Sequence, residues 1–255
     1  MRKLIWFSLF SVLLSLTVGH SGESEQWEEV FFAANKAYKE GRFHDAIEGY
    51  QRLIQSSPGN GHIYYNLGNA YMRSGQLGEA ILNYERARLE LPRDPDLAFN
   101  LDYARNQIRD VVPQSQDFLS MTFFWLKSLS PGELFWGFAI LNILFWGTLG
   151  LRIFYRPEWS YYLLLTVCIV WLIAGLSFGL KWYQIETDDR AVVLQQEVSV
   201  LAGPDVEDTV LFKLHEGTIV HKERSEGGWS LINLQDGKRG WVLSEGVENV
   251  RRNGG

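Results

Sequence analysis

Few side chains in these 255 residues have the spacing that chemistry needs. His215 and His221 lie six apart across an expected turn and strand, with no carboxylate or thiol at ligand spacing beside them, so no metal site is expected there. The other histidines are scattered over different parts of the chain, and the single cysteine, Cys168, sits inside an apolar segment. There is no phosphate-cradling glycine loop, nucleophile elbow, HExxH or paired zinc motif, and the acidic residues of the helical part read as solvated faces. An enzyme therefore has no residue to stand on, and no cofactor is implied. What does recur is amide: Asn35 and Asn69 stand thirty-four residues apart. Each amide offers donors and an acceptor, the set that can bond an extended peptide backbone. A net charge of -6 excludes the basic surface that nucleic acid requires.

The elements that must position those amides belong to a repeat. The same offset aligns Gly41 with Gly75, Ala46 with Ala80, Ile47 with Ile81, Tyr50 with Tyr84 and Pro58 with Pro92. Each unit has an apolar helical face, a glycine for the inter-helix turn, a small alanine where two helices approach, and a proline that ends the second helix. These residues resemble the tetratricopeptide repeat, with repeats over 27–60 and 61–94. Repeat two carries Tyr64, Leu67, Gly68, Tyr71, Gly75, Ala80, Tyr84, Ala87 and Pro92 of the family pattern; in repeat one Val30, Ala33 and Ala34 replace the Trp/Tyr, Leu and Gly. Residues 95–110 form a cap helix or the first helix of an incomplete third repeat, with Ala98, Leu101 and Ala104 spaced to pack.

The resemblance implies a concave surface, lined by the first helix of each repeat, that binds a protein segment. Here it would present Phe31, Phe32, Asn35, Tyr38 and Lys39, then Tyr65, Asn66, Asn69, Met72 and Arg73, then Phe99, Asn100 and Tyr103. Phe31 and Asp96 occupy two positions that are basic in carboxylate-clamping relatives, so that clamp is not expected. Core packing, or contact with the membrane-proximal segment, is the competing role for Phe31, Phe32 and Tyr65. Tyr50, Tyr71 and Tyr84 read as packing residues.

Two apolar segments, 134–151 and 161–180 within a hairpin over 133–182, are each about long enough to cross the hydrocarbon core of a bilayer. Trp136, Trp159, Tyr161, Tyr162, Trp182 and Tyr183 lie near their ends, where aromatic rings favour the interface. Arg152 and Arg156 place the loop 152–160 on the cytoplasmic side. Arg2 and Lys3, the apolar run 4–18 and the small residues Gly19, Ser21 and Gly22 read as an export signal over 1–22, cleaved or retained as an anchor. Both signals put the soluble parts outside the cytoplasm. Between repeat and hairpin, residues 111–132 read as a linker followed by a helix lying in the headgroup plane, or packed on the cap helix. Asn142 lies mid-membrane, where its amide needs a partner; Gly175 and Gly179 form a small-xxx-small face, or are ordinary glycines of a membrane helix.

After residue 183 the pattern changes to short β runs divided by Gly203-Pro204, Gly227-Gly228 and Asp236-Gly237. The segment 183–255 resembles the bacterial SH3-like domain, through VSVLAGP, HEGTIV and GGWSLINLQDGKRGWV. Some relatives bind cell-wall peptides. Trp229 and Trp241 would be the ligand residues, although both occupy positions that more often pack the barrel.

The fold class expected is thus a multi-domain membrane protein: an all-α tetratricopeptide repeat domain (23–110), a two-helix transmembrane hairpin and a small all-β SH3-like barrel. This order resembles the BatE family of the bacterial aerotolerance operon. The resemblance implies a bacterial inner-membrane, periplasm-facing scaffold in an envelope stress or assembly complex. Its partners would be membrane proteins with von Willebrand A domains and, indirectly, a MoxR-type ATPase. Binding to the cell wall through the SH3-like domain is the alternative.

Overall fold

The computed structural model describes residues 20–56, 59–110 and 123–251. Most of the export signal (1–19 of 1–22), Pro58 and most of the linker therefore lie outside the described residues.

The repeat region comprises α1 (His20–Lys39), α2 (Phe43–Ser56), α3 (Gly61–Arg73), α4 (Leu77–Glu90) and α5 (Pro95–Arg105). Gly41 and Gly75 turn the chain within each helix pair at φ +78° and +80°, a region that costs any residue with a Cβ. Asn60 caps α3 by accepting from the backbone N–H groups of His62 and Ile63, and Asp94 caps α5 through Asp96 and Leu97, with Pro95 in the first turn. The departure at Ala34 has a physical reason. In repeat two Gly68 lets the Tyr84 ring approach to where a Cβ would be 2.6 Å away; in repeat one Gly49, on the facing helix, makes the room, since a Cβ there would lie 2.7 Å from that of Ala34. Helix α5 buries Leu97, Leu101 and Ala104, while Ala98, expected to pack, is exposed.

A short helix, α6 (Trp125–Ser128), precedes two long ones, α7 (Pro131–Phe154) and α8 (Glu158–Glu186). Ser130 and Glu133 close a capping box on α7. Both long helices are apolar enough to cross a membrane by length and composition, with mean hydropathy 1.7 and 2.5, and few of their residues are buried. At 1.5 Å per residue they run about 36 and 44 Å, beyond the apolar segments at each end. The loop between them is correspondingly short: Arg152 belongs to α7, where it donates to Ser160 Oγ at 3.0 Å and lies over the Tyr161 ring. Helix α6 packs on α8, with Trp125 Nε1 donating to Ser177 Oγ at 3.1 Å and Leu126 buried.

Strands β1 (Arg190–Val193), β2 (Glu197–Leu201), β3 (Val210–His215), β4 (Ile219–Glu226), β5 (Trp229–Asn233), β6 (Arg239–Leu243) and β7 (Val247–Asn249) form one antiparallel sheet in the order β3-β2-β6-β5-β4-β1-β7. Its core gathers Val193, Val200, Val220, Ile232 and Val242. The sheet does not stand apart from the repeats. Val192 and Val250 are buried in the same apolar cluster as the repeat helices. A Cβ at Gly78 of α4 would lie 2.7 Å from the carbonyl oxygen of Val193, and one at Gly217 would lie 2.6 Å from Ile81 Cδ1. The sheet is also tied to the apolar helices, since Arg251 donates to the carbonyls of Ile185 and Glu186 and pairs with the Glu186 carboxylate. That caps the C-terminal end of α8 with a cation, as the helix dipole favours.

Candidate protein-binding surface

The first helices of the repeats carry a ladder of amides and phenols. Tyr50 donates to Asn35 Oδ1 at 2.7 Å, and Tyr84 donates to Asn69 Oδ1 at 2.8 Å. Asn100 Nδ2 bridges to Asn69 Oδ1 at 2.9 Å and to the Tyr65 hydroxyl at 3.0 Å, tying α5 to α3. Burial pushes the Tyr50 phenol up to about 12, and that of Tyr84 higher still. Both therefore stay protonated donors at any physiological pH. The Asn69 carbonyl, with two donors on it, is committed inside the fold, and that of Asn35 is held by the Tyr50 hydroxyl. Asn66, by contrast, is half-buried and makes no side-chain hydrogen bond among the described residues.

Around that ladder the expected groove residues divide. Phe31 stacks on Trp27 at 5.4 Å and Tyr38 meets Phe43 edge-on at 5.6 Å, so both are half-buried packing residues. Tyr65 and Met72 are also half-buried and pack on the repeat core. Lys39 is exposed, and Arg73, also exposed, lies over the Phe43 ring at 5.1 Å. Phe32, Phe99 and Tyr103 are 65%, 71% and 57% exposed. Phe99 and Tyr103 are four residues apart and share one face of α5. Three solvent-facing aromatic rings, on helices that also expose Lys39 and Arg73, are of the kind that anchors a protein segment.

The other flank of the stack holds functional-looking residues that sequence reasoning missed. Glu85 of α4, expected on a solvated face, is 0% exposed. Three arginines surround it: Arg88 at 2.7 Å, Arg190 of β1 at 3.0 Å, and Arg105 of α5. Burial alone would raise the Glu85 carboxyl, but the three guanidiniums outweigh it and hold the pKa below the ordinary carboxylate value. Arg190 is raised in turn: burial opposes its charge, and its bonds to Asp188 and Glu85 overcome that. Next to this cluster Arg86 donates to Glu248, to the Asn249 carbonyl and to the Val250 carbonyl, sewing α4 to the end of the sheet. Arg88 stands three residues after Glu85, an ordinary helical spacing, but no spacing in the sequence could have signalled the pairing of Glu85 with Arg190 or of Arg86 with Glu248, whose partners lie 105 and 162 residues apart.

The histidines have carboxylate partners that sequence spacing did not reveal. His215 pairs through Nδ1 with Asp110 at 2.8 Å, and His221 with Asp189 at 2.7 Å. Asp110 also accepts from the His215 backbone N–H and the Thr218 hydroxyl. Burial would raise Asp110, but these bonds hold it below the ordinary aspartate value. His215 also has the Glu197 carboxylate 3.9 Å from its Nε2, yet no group of three such side chains able to hold a metal ion exists among the described residues. Trp241 is 7% exposed beneath Arg224, and Trp229 is half-buried at the start of β5. In the apolar helices Gly175 receives the Phe138 ring, 3.1 Å from where its Cβ would be, whereas Gly179 meets nothing within 4 Å. Asn142 is half-exposed and makes no side-chain hydrogen bond among the described residues.

Residues 37–108 match the tetratricopeptide repeat family. That match spans α2 to α5 and the end of α1, and leaves the apolar helices and the sheet unassigned. No curated protein matches this chain.

Proposed function

We propose that this protein is a non-enzymatic membrane adaptor, with the two apolar helices forming a transmembrane hairpin and the repeats binding a segment of a protein partner. The observation that carries this is the asymmetry of exposed rings: the first-helix face offers Phe32, Phe99 and Tyr103 to solvent, while α4 is covered by the chain's own sheet. Tetratricopeptide repeats suggest protein interaction in general. The sheet is read as an SH3-like domain serving as a brace, and the buried Trp241 argues against wall binding as its main role. Arg152 and Arg156 support a cytoplasmic turn, with repeats and sheet together outside. A Bat/MoxR-type envelope complex, with von Willebrand A-domain membrane proteins as partners, is the setting that the whole-chain resemblance favours.

The test is crosslinking in native membranes followed by partner identification, comparing the unaltered chain with Asn66→Ala/Phe99→Ala. Loss of a defined partner from the variant is the expected result. Equal recovery of every crosslinked species from both would remove this face as the binding surface.

A further inference from the structure

We infer that the end of the hairpin nearest the sheet binds the headgroup of an anionic phospholipid, a phosphodiester of net negative charge held by Lys127 and Lys181. This rests on the hairpin being a membrane hairpin. A cavity of about 540 Å³ opens between α4, α6, α8 and β1, lined by Arg88, Leu89, Pro92, Lys127, Lys181 and Arg190 among others. Its charges are not equivalent. Arg88 and Arg190 are committed to Glu85, and Arg190 to Asp188 as well. Lys127 is exposed and has no side-chain partner among the described residues. Lys181 spends one donor on the Leu126 carbonyl at 2.8 Å, leaving two of its three. Neither ammonium has a carboxylate within ion-pair distance among the described residues; Glu90 reaches Lys181 only through its longer-range field.

The level of the cavity identifies the source of the anion. Lys181 is followed by Trp182 and Tyr183, and Lys127 is preceded by Phe124 and Trp125; of these Phe124, Trp182 and Tyr183 are exposed. Aromatic rings so placed mark the headgroup layer, and the helices below them expose apolar flanks that suit acyl chains. Leu89 and Pro92 give the cavity one apolar wall. Basic pockets of this kind between membrane helices and adjoining elements suit anionic headgroups, each lysine adding a phosphate interaction. The uncommitted ammonium pair is thus held in the layer where lipid phosphate is concentrated.

The full-length protein, reconstituted in phosphatidylcholine nanodiscs and then examined by native mass spectrometry from micelles, is titrated with phosphatidylglycerol or phosphatidylcholine. Preferential phosphatidylglycerol binding is expected. It should fall about 30-fold in Lys127→Gln/Lys181→Gln, the product of about fivefold per lysine. It should be unchanged in Lys213→Gln/Lys238→Gln, which removes two charges from the sheet instead. Equal binding of the two lipids, or equal losses in the two variants, would overturn the site. Displacement of the lipid by glycerol 1-phosphate would overturn its lipid source and assign the anion to a soluble phosphate. Should the double variant misfold, Lys127→Gln alone still reports, since that side chain bonds to nothing among the described residues; about fivefold is expected and no loss would refute the site. Failure to enter nanodiscs at all would be a different outcome, overturning the membrane hairpin and this site with it.

Discussion

Helices α4 and α5 are neighbours in the same repeat stack, yet they are buried in opposite ways. In α5 the buried residues are Leu97, Leu101 and Ala104, a single stripe at helical spacing with aromatic and charged side chains outside it. In α4 every residue from Ala80 to Ala87 is buried, including Asn83, Glu85 and Arg86. A helix that is inaccessible all round has neighbours on all sides, and for α4 these are α3 and α5 on one side and β1 and β7 on the other. The contrast teaches which flank of the repeat stack is a structural joint and which is free for a partner.

The sharpest way to break the contrast is at Glu85. Replacing it with alanine leaves the guanidiniums of Arg88, Arg105 and Arg190 crowded together without their shared carboxylate. Removing one member of a buried ionic cluster costs about 3–5 kcal/mol. Glu85→Ala should therefore lower the denaturation midpoint in detergent strongly and expose β1 to proteolysis. An unchanged midpoint would mean that the covered flank is not held by charge.

Acid acts on the same joint without mutation. The Glu85 and Asp110 carboxyls are both depressed in the folded state, below 4.5 and 3.8. Each contributes stability that is fully present above those unfolded values and is lost as pH falls through the lower folded ones. The denaturation midpoint should thus be insensitive to these groups near neutrality and fall once the pH drops below 4.5. In Glu85→Ala the acid-dependent part should be reduced to what Asp110 and other carboxylates supply.

How much of this could be read beforehand follows from the range of the interactions. The repeat was legible because its signals are local: Gly41 and Gly75 at the turns, and a stripe at Leu101 and Ala104. The two apolar helices were legible for the same reason, with ends displaced because Ser130, Glu133 and Pro131 start α7 earlier than its apolar run. The strands announced themselves through Gly227-Gly228 and Asp236-Gly237 turns. The joint was not legible, because Glu85 finds Arg190, Arg86 finds Glu248 and Asp110 finds His215 only after the chain has crossed the hairpin and returned. Gly78, Gly217 and the helical spacing of Glu85 and Arg88 were its local traces, and a glycine alone does not say what approaches it. On the binding face, residue types suggested Asn35 and Asn69 as ligand groups, but their carbonyls are taken by Tyr50 and Tyr84 from the second helix of each repeat.

A smaller perturbation separates scaffold from surface on the free flank. Tyr84→Phe removes one buried hydroxyl and its bond to Asn69, at a cost of about 1 kcal/mol. The Asn69 carbonyl keeps its bond from Asn100, so the ladder should survive in weakened form. Denaturant titration of this variant should give a shift clearly below that of Glu85→Ala. A loss as large as that of the ionic cluster would show the amide ladder to be as central to the repeat stack as the joint.

The smallest effect on stability is expected where the largest effect on partner binding is. Phe99 and Tyr103 stand in solvent, and neither makes a ring contact or hydrogen bond among the described residues. Phe99→Ala/Tyr103→Ala should therefore shift stability by no more than about 0.5 kcal/mol. Truncating two exposed rings on a peptide-binding face removes anchors of the kind that dominate such interfaces, so crosslinking to the partner should be lost while the fold is untouched. A variant that destabilised the repeats instead would place these rings in the packing of α5. A variant that did neither would leave Phe32, Asn66 and Arg73 at the α1 and α3 end of the face to carry the contact, and the asymmetry between the flanks would then be one of exposure without binding.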